Sequence, residues 1–81
     1  MDWLHDMTTH VATATGLDPA DLLVDAESAP LLLDLAAIAA HSSGDRTNAP
    51  LLCHVLGRAV AQGASLDACA RAVRDHAGAA E

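Results

Sequence analysis

The segment "SAPLLLDLAAIAAHSSG", residues 28–44, most constrains what this chain can fold into. Plotted at 100° per residue it is apolar on nearly every side, and only Asp34 and, two turns later, His41 share a narrow polar strip. A helix of that kind belongs inside a packed structure, because a surface helix keeps one polar face. The chain has 81 residues, which gives one domain over 1–78, a frayed tail at 79–81 and a small core. A central helix in so short a chain needs three surrounding helices or a partner subunit. The expected fold is all-α: a compact bundle of four main helices, at about 2–15, 30–42, 49–62 and 66–77, plus a short helical turn near 19–23.

Local signals set those boundaries. "DWLHDMTTHVATAT" places Trp3, Leu4, Met7, Val11 and Ala14 at helical spacing behind Asp2, a good N-cap, and Gly16 ends the run. Trp3 is expected to cap the core. In "LDPADLL" Asp18 caps, Pro19 suits a first helical position and Asp21 favours an N-terminal end. Pro30 opens the second long helix and Gly44 follows it. Asn48 or Ala49 precedes Pro50 in the third, whose inner face is Leu52, Val55, Leu56, Ala59 and Val60. Gly57 and Ala61 leave a flat strip on that helix. Ser65 caps the last helix, which buries Leu66, Cys69, Ala70, Val73 and Ala77 and exposes Asp67, Arg71, Arg74 and Asp75. No segment alternates with period two, and no internal repeat is expected.

Charge narrows the partners. The formal net charge is −7, with four arginines and no lysine, which argues against nucleic acid and against an anionic membrane surface. "MDWLHDM" lacks the basic and apolar regions of a signal peptide, and the longest apolar stretch is broken by Asp34 before it could span a bilayer. Cys53 and Cys69 form no CxxC pair and read as reduced, partly buried thiols. A cytoplasmic protein is expected. The chain is 52% hydrophobic, much of it alanine, with one Trp and no Phe or Tyr. At ~25 cal/mol per Å² of buried apolar surface such a core gives marginal stability, which small domains often make up by pairing. Leu31, Leu33, Leu35 and Ile38 cannot all face a core of three short helices. A homodimer, or a protein partner covering part of the second or third helix, is therefore expected.

The concentrated polar chemistry lies in "HSSGDRTNAPLLCHVLGR", residues 41–58. Read as a turn, His41 caps free carbonyls, Gly44 and Asp45 reverse the chain, Asn48 caps the next helix and Pro50 starts it. Arg46 is then expected to be tied to Asp34, pinning one helix end to the next. Read as a binding region, His41, Arg46, Asn48, His54 and Arg58 are the candidates for an anionic ligand or partner beside the free N–H groups of a helix start. His54 and Arg58, spaced i and i+4, share one outer edge. Convergence of His41, Arg46, His54 and Arg58 on one concave surface would favour ligand binding; side chains splayed into solvent would favour an interaction module. Asp34, His41, Cys53 and His54 are ligand types without metal-site spacing, so no metal and no cofactor are expected. Cys53 sits on an apolar flank and Cys69 on an inner face, where thiols are usually inert. The expectation is a non-enzymatic module, with no catalytic residues.

Trp3-Leu4, Gly16-Leu17-Asp18, Leu32 to His41, Arg46, and Ala49-Pro50-Leu51 followed by Leu56-Gly57 also form a family-like pattern. In it the chain resembles a small all-helical actinobacterial domain of unknown function. That domain occurs free-standing or with guanylyltransferase-like proteins of molybdenum-cofactor (molybdopterin guanine dinucleotide) biosynthesis. The matching "AH" that ends one helix is Ala40-His41, and the "R-x-x-AP-L" that starts the next is Arg46 with Ala49, Pro50 and Leu51. "VDAESAP" and "SSGD" depart from the pattern. The resemblance implies an accessory role near molybdenum-cofactor enzymes and supplies no mechanism. Without a nucleotide-binding loop, the chain is not expected to be the nucleotidyl transferase itself.

Overall fold

The computed structural model describes residues 3–80, with side chains through Ala77. It is all-α, with four helices, α1 (Trp3–Thr15), α2 (Ser28–Ser43), α3 (Asn48–Ala61) and α4 (Leu66–Ala80), and a 3-10 turn at Pro19–Asp21. No strand occurs among the described residues.

The starts and stops are mostly those the local chemistry dictates. Ala20 N–H donates to Asp18 Oδ1 at 2.9 Å, with Pro19 directly behind the cap. Ala68 N–H donates to Ser65 Oγ at 3.1 Å, which opens α4. Gly16 and Gly44 each take φ 73°, a left-handed conformation that costs glycine nothing, and they end α1 and α2. The proposed Asp2 cap lies outside the described residues. α4 runs on to Ala80, past the expected end at 77, so the expected frayed tail falls partly on helix; Glu81 is outside the described residues.

Two helix starts differ from expectation in the same way. α2 begins at Ser28, two residues ahead of Pro30, and α3 begins at Asn48, which is its first residue rather than its cap. Ser28 N–H donates to Asp25 Oδ1 at 2.7 Å, and Ala29 N–H to the Asp25 carbonyl at 3.1 Å. Thr47 N–H and Oγ1–H donate to Asp45 Oδ1 at 2.9 and 2.7 Å, and Asn48 N–H to the Asp45 carbonyl at 3.1 Å. Asp25 and Asp45 are thus the capping carboxylates, each five residues before a proline. The pattern Asp-x-x-x-Ala-Pro-Leu-Leu stands at 25–32 and again at 45–52, an internal repeat that the whole-chain periodicity conceals. Proline is tolerated so near a helix start because few N–H groups there have partners to lose.

The helices do not share a single core. α2 lies against both α3 and α4, and α3 and α4 touch each other, so these three form the bundle. Leu35 of α2 is fully buried between Leu56 of α3 and Ala70 of α4, with Leu31, Leu32, Ile38, Leu52, Cys69 and Val73 around them. The over-apolar helix is central, as its composition requires, yet Leu33 is 71% exposed. Among the described residues, α1 packs against the 3-10 turn and against no other element. The molecule is accordingly elongated, 42 × 25 × 20 Å.

α1 turns the smaller of its apolar surfaces inward. Ala12 is its one fully buried residue, while Trp3 is 71% exposed and Met7 and Val11 stand open to solvent. Trp3 therefore does not cap the core: α1 never reaches it. On α3, Val55 and Val60 of the expected inner face are exposed, because the helix meets α2 and α4 on the narrower Leu52–Leu56–Ala59 side. The face expected of α4 holds at Leu66, Cys69, Ala70, Val73 and Ala77. None of the helices is long and apolar enough to cross a membrane, among the described residues.

Candidate functional site

The α2–α3 connection is a closed hydrogen-bonded turn. Ser43 Oγ–H donates to the Ala39 carbonyl at 2.6 Å, and Ser43 Oγ accepts from Asn48 Nδ2 at 3.0 Å and from Asp45 N–H at 3.2 Å. Ser43, Asp45, Thr47 and Asn48 thus satisfy one another across the reversal. The hydroxyl of Thr47 and then its N–H hold the Asp45 carboxyl below its ordinary range. The hydroxyl and N–H of Ser28 do the same for Asp25.

This turn reassigns two roles. Asn48 was expected to cap; it lies inside α3 and reaches back to Ser43, while Asp45 caps. Arg46 was expected to hold Asp34. The charged partner of Asp34 is Arg74 of α4, Nη2 to Oδ2 at 4.0 Å. α4 lies against the middle of α2, whereas Arg46 sits in the turn beyond the end of α2, too far along the helix axis to reach.

His41, Arg46, His54 and Arg58 are all exposed. None of them lines either of the two grooves described below, and only Asn48 of the candidate residues does. Among the described residues no three His, Cys, Asp or Glu side chains stand close enough together to hold a metal ion. Cys53 and Cys69 are free, half-buried thiols.

The concave surfaces lie elsewhere and are apolar. One groove of about 480 Å³ opens at the end of the bundle where α2 finishes and α3 begins. Ile38, Leu51, Leu52, Val55, Val73 and Ala77 make its walls, with Ser42, Ser43, Asn48 and His76 supplying its polar atoms. Leu51 and Val55 are 61% and 57% exposed. A second groove, of about 550 Å³, lies at the opposite end of the bundle, where Leu32, Leu56, Val60 and Leu66 meet the chain's own Asp21–Val24 segment. The Leu51–Val55 spacing of i and i+4 is the sequence signal for the first groove, whose walls are apolar rather than polar.

The fold and surface define an all-α protein with a three-helix bundle, an appended helix and two apolar grooves. No protein-family model, curated protein or solved structure matches this chain.

Proposed function

We propose that this is a cytoplasmic, non-enzymatic interaction module that binds a protein partner through exposed apolar helix faces. The observation that carries the reading is the groove at the α2–α3 end, where Leu51 and Val55 project into solvent between three helices. Contiguous apolar patches on small proteins are commonly interaction sites, and a groove between helices fits an apolar helix face. The polar candidates support a small anionic ligand less well, since His41, Arg46, His54 and Arg58 stand exposed and apart from either groove. The resemblance seen in the sequence makes molybdenum-cofactor enzymes the first partners to seek.

Affinity capture from the native cell tests the reading. The tagged full chain is compared with a Leu51→Asp/Val55→Asp variant whose helicity and melting are unchanged. The expected result is a protein held by the parent chain and lost by the variant. Identical proteins held by both would overturn the assignment of this surface.

A further inference from the structure

The second groove is built differently from the one at Leu51 and Val55. Cys53, Leu56, Gly57, Val60 and Ala61, at i, i+3, i+4, i+7 and i+8, lay one stripe of α3 along its floor. The chain's own Leu22–Val24 segment closes one side as a strap. The floor is low where its residues are small. A Cβ placed on Gly57 would meet nothing within 4 Å, and Ala61 follows one turn later. The resulting space of about 550 Å³ is of the size that holds a small organic molecule.

Charge selects the class of molecule. Asp21 is the one charged residue in the lining, which includes no arginine and no histidine. Among the described residues its carboxylate has no hydrogen bond and no ion pair. Ser28, also in the lining, gives its N–H and hydroxyl to Asp25 and so holds a second carboxylate beside the rim. An apolar molecule ending in a carboxylate would meet like charge there, and a neutral one would gain nothing from Asp21. An apolar molecule ending in an ammonium group matches both the floor and the rim.

We propose that this groove binds a small lipophilic amine, its apolar body along the Leu56–Gly57–Val60–Ala61 floor and its ammonium group held by Asp21. The site is separate from the Leu51–Val55 surface and stands whether or not a protein docks there.

Cys53 lines the groove and Cys69 does not, and both are free, half-buried thiols. Alkylation by iodoacetamide, read at each cysteine by peptide mass spectrometry, therefore reports occupancy, with Cys69 as the internal reference. The full chain at neutral pH is titrated with n-octylammonium and, in parallel, with 1-octanol and with octanoate, each below its aggregation concentration. n-Octylammonium is expected to slow alkylation of Cys53 alone, at concentrations at least ~10-fold below those at which octanol or octanoate does so. Asp21→Asn should remove that preference and leave the octanol response unchanged. Gly57→Leu should abolish the response to all three probes, because its side chain fills the floor. Unchanged helicity and melting verify that both variants fold. Equal protection by the three probes would show an unselective apolar surface and overturn the amine assignment. Protection of Cys69 in step with Cys53, or of neither, would overturn the site itself. A Cys53 that is slow in the free chain at high concentration and fast on dilution would give the groove to a second copy, and would overturn the proposal as well.

Discussion

Asp34 of α2 faces Arg74 of α4, with Oδ2 4.0 Å from Nη2. At 73% and 49% exposure the pair is solvated, and pairs of this kind contribute about 0–1 kcal/mol. Arg46, exposed in the turn, has no share in it. Arg46→Ala should therefore leave stability unchanged to within ~0.5 kcal/mol. Thermal melting checks this, and a fall of many degrees would show that Arg46 pins the turn after all.

Asp25 and Asp45 link stability to acid. Both carboxyls are held below their ordinary value of 3.8 in the folded chain. The unfolded chain thus binds protons first as pH falls. The stability these caps add is complete above about pH 5 and is lost as the pH drops through the folded values. The Asp25→Asn/Asp45→Asn variant keeps an acceptor for the helix N–H groups without titrating there. Its melting temperature should fall less between pH 6 and pH 3 than that of the parent, and parallel curves would contradict the assignment. Asp25→Ala or Asp45→Ala should lower the melting temperature by several degrees at pH 7, since the acceptor itself is gone.

Gly57 and Gly44 should respond oppositely to alanine. Gly57 lies inside α3, where an added Cβ would meet nothing within 4 Å. Gly57→Ala should stabilise by about 0.5–1 kcal/mol through lost freedom of the unfolded chain. Gly44, with φ 73°, has the same open space but a backbone that penalises a side chain. Gly44→Ala should cost about 1–2 kcal/mol. Urea titration of the two variants gives the signs directly.

Neighbouring leucines of α2 should differ as sharply. Leu35 is fully buried among α3 and α4, and Leu35→Ala should cost about 2–5 kcal/mol, enough to threaten folding in a domain this small. Leu33 is 71% exposed, and Leu33→Ala should stay within ~0.5 kcal/mol. Equal losses in calorimetric melts would mean that Leu33 is covered in the protein as it exists in solution.

Local chemistry was legible in the sequence and long-range pairing was not. Asp18, Ser65, Gly16 and Gly44 act within a few residues of themselves, so their roles follow from neighbours alone. Proline does not fix the onset of α2, which begins at Ser28; the matched segments 25–32 and 45–52 place an aspartate ahead of both α2 and α3. The amphipathic spacing of Trp3, Met7 and Val11 announces an apolar face, yet periodicity cannot say which surface covers it. Likewise, the partner of Asp34 depends on how α4 crosses α2, and both Arg46 and Arg74 were compatible with the sequence. The polar residue types of 41–58 are versatile, so the sequence leaves both a turn and a binding role open to them. In the fold much of its hydrogen bonding is spent on the turn itself, and the concave surface beside it is apolar.

α1 stands off its own bundle with Trp3, Met7 and Val11 exposed. Acrylamide quenching of Trp3 emission across a dilution series tests it most directly, because no other aromatic side chain contributes. Red-shifted, freely quenched emission is expected in the most dilute samples. Blue-shifted, protected emission that persists at the lowest concentration would mean that a single chain buries Trp3 in its own core and that α1 does not stand apart from the bundle.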